Sequence, residues 1–523
     1  MKKIIIIILS LIITVPAFSQ KAKVPKPPFK VTKAQMYEDY DQFLHIVETY
    51  CPQIEVRMKT GYDMMGVLRE RRGQIANIKN YWEFILFMDG SVRKIMDMHA
   101  RTLFEAPTYA GSGNSFYDST GLYRIQQGLS QWISERYNAG NYAYPMGKYI
   151  DGYYYVQAYD LINPVTKDTV RLRNARITAY DYQPIDRYVR KLMGNLPASQ
   201  CRYDFKWNKY YTPQLYLDMK KTVKLTDEND SIFAFDMAAY TIRKSFSGIE
   251  EVRNMSSEEF FSRHRERLPM EVCYFPEQKT LYIYTKEMFA HSGTDFPDSI
   301  KSAARGKRID KVIFDVRDNP GGSDYFWMDI LSAIIKDTLH FRTCGALNAN
   351  DEVRAFYTAE CPETYARNRK KGSLIFLNGK KVMVPIDDRA VIPPDSNSLN
   401  FEGPIYILQN QHTYSAAHSL AATARQSSQL VSVGESTGQL AGCGINAWSF
   451  QLKHSHFTFM FEPVLDVTDA MQWEDVFHCI PEIEVYPTLK EWNEYNGYRN
   501  IMDSEEFLPK YDYLFKYIIN LKN

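Results

Sequence analysis

Ser415 stands where an apolar stretch gives way to a helical rhythm. Pro404 to Gln409 reads as a buried strand and Asn410-Gln411-His412-Thr413 as a polar turn. Ala416, Ala417, Leu420, Ala421 and Ala424 then recur at helical spacing, and Leu430 to Val433 follows as a second short strand. A serine on a strand-to-helix turn holds its hydroxyl at the positive end of the helix, where unpaired N–H groups stabilise an anion. That is a setting for a nucleophile. It is equally the setting of an N-cap, a role open to Thr413 and Ser415 alike.

A second stretch, Lys311 to Gly322, reads as a strand (Val312, Ile313, Phe314, Val316) ending in a tight turn of Asp318, Asn319, Pro320, Gly321 and Gly322. Paired glycines permit positive φ and bring backbone N–H groups close to a bound atom. Such a turn can cradle the oxyanion of a tetrahedral intermediate, or simply end a strand.

Taken in this order, the two stretches resemble the catalytic domain of the S41 serine peptidases, the family of the C-terminal processing proteases and the tricorn core protease. Its Asp-x-Arg-x-Asn-x-Gly-Gly strand end is matched by Asp315, Arg317, Asn319, Gly321 and Gly322. Its Ser-Ala-x-Glu turn is matched by Ser415 and Ala416, with His418 in place of glutamate. Its Val-Gly-Glu-x-Thr-Gly segment is matched by Val433 to Glu435, Thr437 and Gly438. The resemblance implies an α/β, ClpP/crotonase-like core and a serine-type peptidase. Ser415 is then the nucleophile, and the N–H groups of Gly322 and Ala416 form the oxyanion hole.

A serine needs a base within hydrogen-bond reach. The processing-protease branch uses a lysine, but the aligned position here holds Leu440, and the next lysine, Lys453, lies in the alternating stretch Phe450 to Phe461. The tricorn-like branch uses a histidine from an earlier helical region. That points to His99, in Asp97-Met98-His99, at the end of an amphipathic stretch from Tyr81 to Met96. A neutral imidazole is suited to take and return the serine proton. A carboxylate should orient it. The family places a glutamate before a Val-x-Pro-Asp segment, which selects Glu474, with Asp97 as the second choice. The tricorn pattern has a serine before its histidine, where this chain has Met98. His412 and His418 lie near Ser415, and His418 is expected to support the turn. His454 and His456 alternate on one strand without a carboxylate or cysteine at matching spacing, so neither a metal nor a cofactor is expected.

Lys2 and Lys3, the apolar run Ile4 to Val15 and Pro16-Ala17-Phe18-Ser19 read as a secretory signal, with cleavage expected before Gln20. Export to a periplasm or beyond, without a lipid or membrane anchor, is expected. The remaining length and 45% hydrophobic content suggest roughly three domains. A helical N-terminal domain (20–102, with Met36 to Tyr50 periodic) delivers His99. The tyrosine-rich region 103–221 is expected to be PDZ-like or a family-specific insert, with strands at Tyr149 to Val156 and Val170 to Ala175 and a helix at Ile185 to Met193. The catalytic α/β domain spans 222–490, with strands at Ser231 to Phe235, Leu281 to Tyr284, Val312 to Val316 and Ile405 to Leu408. Asp351 to Arg389 reads as a lid or insertion, and 491–523 as a helical tail.

Removing Lys2 and Lys3 takes the formal charge from +1 to 1 − 2 = −1, which offers no attraction for nucleic acid or an anionic membrane. Cys51, Cys201, Cys273, Cys344, Cys361, Cys443 and Cys479 are scattered without a Cys-x-x-Cys pair, which suggests neither zinc nor a redox couple. Two functions remain: an exported serine peptidase acting on polypeptides, or a peptide- or ligand-binding protein on the same fold. His418 and Leu440 favour the second, whereas Ser415 together with the Asp-x-His segment favours the first.

Overall fold

The computed structural model describes residues 29–102, 143–156, 159–172, 174–196, 200–218, 221–226, 232–244, 267–289, 295–360, 375–376, 382–441 and 447–521, with Pro27, Glu259 and Arg263. The expected signal segment, Cys361 and Cys443 lie outside the described residues. Val31–Thr102 and Tyr142–Asn523 form one compact unit.

Its centre is a six-stranded sheet whose strands lie in chain order: Met270–Phe275, Thr280–Thr285, Lys311–Asp315, Ile405–Gln409, Leu430–Gly434 and Ile483–Glu484. The first pair is antiparallel and the rest are parallel. Parallel strands covered on both faces read as continuous apolar runs, which is why Lys311–Asp315 and Ile405–Gln409 are buried at every position. On one face Phe296–Ala304, Asp324–Ile334 and Ala416–Ala424 pack as helices, placing Ile300, Ile330, Leu331 and Leu420 against Leu281, Val312, Phe314 and Ile407. On the other face, the tail helices Leu489–Tyr498, Ser504–Tyr511 and Tyr513–Asn520 cover Tyr282, Ile313 and Leu408 with Tyr495, Leu514, Phe515 and Ile518. The tail is therefore one wall of the catalytic core.

The Asp-x-Arg pair of the signature strand fastens that wall. Arg317 Nη2 donates to Asp315 Oδ2 and to Asp512 Oδ2, each at 2.6 Å, and all three side chains are buried. Asp512 also caps the last helix, accepting the N–H groups of Leu514 and Phe515 at 3.0 Å. Burial opposes a charge on Asp315, but the Arg317 guanidinium beside it holds that carboxyl below its usual range.

The N-terminal helices are Lys33–Tyr50, Gln53–Lys59, Met64–Arg71 and Tyr81–Val92, the first closed by a Thr32–Gln35 capping box. The middle region is a seven-stranded sheet with the helix Ile185–Leu192 on its core. The single strand expected over Tyr149 to Val156 is a hairpin, because Asp151 and Gly152 take φ of 41° and 87° and set Ile150 opposite Tyr153. This sheet runs past the expected boundary at residue 221, since Thr222–Thr226 pairs with Arg176–Tyr180 and with Ile232–Asp236. Alternation marks a strand but not the sheet it joins. Where a lid was expected, a helix (Asp351–Glu360) and a long strand (Val382–Ile392) are present, the strand paired antiparallel along all of Leu339–Asn348.

Candidate active site

The parallel register sets Asp315 beside Leu408, so the turns that follow the two central strands leave the sheet side by side. They do so at its carboxyl edge, where open α/β sheets bind ligands. Hydrogen bonds join the turns. Asn410 Oδ1 accepts the Asp318 N–H at 3.0 Å, and its Nδ2 donates to Asp318 Oδ1 at 2.9 Å. Thr413 Oγ1 donates to the Val316 carbonyl, and the Tyr414 N–H to the Asn319 carbonyl, each at 2.9 Å. Asn319 is buried and accepts the Gly321 N–H at 2.8 Å, which shapes the glycine turn.

The glycines are there for space as well as for angle. A Cβ at Gly321 (φ 102°) would sit 2.5 Å from Ser415 Cβ and 2.8 Å from the Ala416 nitrogen. One at Gly322 (φ 149°) would sit 2.4 Å from the Met288 carbonyl oxygen. Only a residue without a side chain fits either position.

Ser415 takes φ 50° and ψ −125°, an uncommon conformation for a residue with a side chain, of the kind retained at functional turns. It is the residue before the helix Ala416–Ala424, yet its side chain makes no capping hydrogen bond. The hydroxyl is not spent on a cap. Its N–H donates to Gln439 Oε1 at 2.9 Å. Among the described residues, the N–H groups of Gly322 and Ala416 form no hydrogen bond within the chain.

His99 arrives on a separate path. The short strand Arg101–Thr102 pairs antiparallel with Thr458–Phe461, Arg101 opposite Met460 and Thr102 opposite Phe459. Two steps back on one strand are two steps forward on the other, so position 99 faces position 462. There His99 Nδ1 lies 3.1 Å from Glu462 Oε2. Glu462 is buried, whereas the imidazole is 28% exposed. The His99 ring packs edge-on against Tyr414, centroid to centroid 5.1 Å, next to the nucleophile turn. Burial works against the imidazolium, but the Glu462 hydrogen bond and the Asp97 charge outweigh it and raise the imidazole pKa to about 9.

Glu462 was not among the expected site residues. Glu474, which was, is exposed on a 3-10 turn with its carboxylate on Lys59 Nζ at 2.8 Å. It is not the carboxylate that meets His99. Asp97 Oδ1 is 3.9 Å from His99 Nδ1 and instead accepts the His99 backbone N–H at 2.8 Å. His418, expected to support the turn, instead has its Nδ1 2.7 Å from Thr437 Oγ1, and burial lowers its pKa to about 3. Leu440 is buried among apolar neighbours, where a lysine base would have to stand. Lys453 donates its N–H to Gln42 Oε1, and His454 pairs with Glu38. Burial pushes the Cys479 thiol far up, which removes it as a nucleophile. Asp97, His99 and Glu462 present ligand atoms within 4.8 Å of one another, a spacing that could also hold a metal ion.

Residues 279–462 match the model of Peptidase family S41. This segment is an S41 serine peptidase domain. The S41 domain holds the glycine turn, Ser415 and Glu462, while His99 comes from a helical region that precedes it. Peptides are the substrate class of this family. No curated protein matches the chain. Among solved structures, mature CPAF complexed with lactacystin is 13% identical with a TM-score of 0.50, over 93% of this chain and 99% of that one. It shares the fold. The photosystem II D1 C-terminal processing protease is 11% identical with a TM-score of 0.35, over 90% and 98% of the two chains. The tricorn protease is 11% identical with a TM-score of 0.33, over 93% and 37%. Among the described residues, no helix is long and apolar enough to cross a membrane.

Proposed function

We propose that the chain is an exported endopeptidase that cleaves polypeptides through an acyl-enzyme formed on Ser415. His99 removes the hydroxyl proton as Ser415 attacks the scissile carbonyl, then returns it to the leaving amine. Glu462 holds the Nδ1–H and stabilises the imidazolium that forms. The N–H groups of Gly322 and Ala416 receive the oxyanion. One observation carries this reading. A histidine whose Nδ1 is held by a buried glutamate at 3.1 Å packs its ring against the residue before a strained, uncapped serine. A binding protein has no use for that arrangement. Export rests on the Lys2-Lys3 and Ile4 to Val15 segment.

The test is digestion of a reduced, carboxymethylated polypeptide. The wild-type protein is expected to release fragments, and the Ser415→Ala variant none, with its fold and melting temperature retained. Equal fragment release by both proteins would overturn the reading. Export is checked by sequencing the N-terminus of the protein recovered outside the cytoplasm, which is expected to begin at Gln20.

A further inference from the structure

Tyr414 touches both halves of the site. Its backbone belongs to the nucleophile turn: the N–H donates to the Asn319 carbonyl at 2.9 Å, and the carbonyl accepts the Ala417 N–H at 3.1 Å. Its side chain belongs to the histidine loop. The phenol donates to Asp97 Oδ1 at 2.6 Å and accepts the Met98 N–H at 3.1 Å. The same Asp97 oxygen accepts the His99 N–H at 2.8 Å, and the His99 ring rests on the Tyr414 ring. Tyr414 is buried, and burial with the Asp97 charge beside it holds the phenol protonated, so it remains a donor.

The loop needs such an anchor. Met96 turns through a left-handed conformation at φ 55°, and Asp97 to Ala100 form a turn before only two strand residues. Buried Arg57 donates to the Met96 carbonyl and so fixes the loop's start. Arg202 Nη2 approaches Met98 Sδ at 3.6 Å. Among the described residues, the Tyr414 phenol is the group that binds this loop directly to the segment carrying Ser415.

We propose that Tyr414, acting through Asp97, is a positioning residue that sets the separation and angle between the His99 imidazole and the Ser415 hydroxyl. The proposal rests on the serine–histidine reading above. Tyr414→Phe keeps the ring against His99 and removes both phenol hydrogen bonds. Asp97→Asn approaches the same link from the other side and keeps Tyr414 intact.

The experiment measures the labelling rate with a small fluorophosphonate, and kcat and KM on a peptide, for wild type, both single variants and the double variant. A displacement of about 1 Å at a reacting pair costs about 100-fold. Tyr414→Phe is therefore expected to lower kcat and the labelling rate by about 10- to 100-fold, with KM within about 2-fold. The double variant should be no slower than the slower single, because both remove one link. Wild-type labelling with unchanged rates in folded Tyr414→Phe and Asp97→Asn would overturn the tether and leave the serine–histidine reading standing. So would losses that multiply in the double variant. Failure of the wild-type protein to label would sink the underlying reading itself.

Discussion

Glu462 decides how His99 handles a proton. With the carboxylate in place the imidazole is raised to about 9, so the neutral base accumulates as pH rises through the range below that value. The kcat/KM of the wild-type protein should climb toward alkaline pH. Glu462→Gln removes the larger of the two influences that raise the pKa and leaves the Asp97 charge alone to oppose burial. The acid limb of the profile should move to lower pH, while the maximal rate falls by about 100- to 10,000-fold as the imidazole loses its orientation. An unmoved limb would show that Glu462 does not face the base. At Gly321 a methyl group would strike Ser415 Cβ at 2.5 Å on a backbone with φ 102°. Gly321→Ala should therefore abolish hydrolysis, and near-normal turnover would mean that the glycine turn does not touch the nucleophile. Ser415 and His99 were candidates from sequence because short local patterns mark them. Glu462 was not, because what selects it is a ladder register between residues 101–102 and 458–461, far apart in the chain. Glu474 had a comparable local setting but points to Lys59 and solvent.

Among the elements, the closing helix Tyr513–Asn520 and the signature strand Lys311–Asp315 depend on each other through Arg317. Asp512→Ala strips a buried cation of one of its two carboxylates and a helix of its cap. The expected loss is about 3–5 kcal/mol, read as a lower urea midpoint. A change below about 1 kcal/mol would show that the triad adds little beyond its packing. The helices and core strands were readable from apolar periodicity, with ends displaced by up to four residues. Partners were less so. The sequence of Thr222–Thr226 suits either sheet, and only pairing with Arg176–Tyr180 assigns it to the middle one. The aromatic rhythm of the tail showed helices but not that Leu514, Phe515 and Ile518 wall the central sheet.

For the molecule as a whole, buried ionisable groups set a pH of greatest stability. Burial lowers the pKa of His412 to about 4 and of His418 to about 3, from 6.5 in the unfolded chain. Below 6.5 the unfolded chain takes up protons that the folded one refuses, so stability present above that pH is lost as pH falls. Asp466 is held at about 2, which adds a further loss below the ordinary carboxylate range, despite its burial, through hydrogen bonds from His478 and Thr468. His99 runs the other way: its stabilisation is complete below 6.5 and is lost as pH rises through about 9. Burial also raises Glu435 to about 7 and Glu462 to about 8, and together they offset the two histidines between pH 4.5 and 6.5. The melting temperature should therefore stay nearly flat from pH 6.5 to 5 and fall below about 4.5, and a steep fall between 6.5 and 5 would contradict this balance.

The same compact unit must bring a helical lead-in and a sheet edge together to activate one alcohol. Mass-spectrometric mapping of the fluorophosphonate adduct tests that most directly. The account predicts a single adduct on Ser415 in the wild-type protein and none in a folded His99→Ala variant over the same time. An adduct on another residue, or undiminished modification of Ser415 without the imidazole, would contradict it.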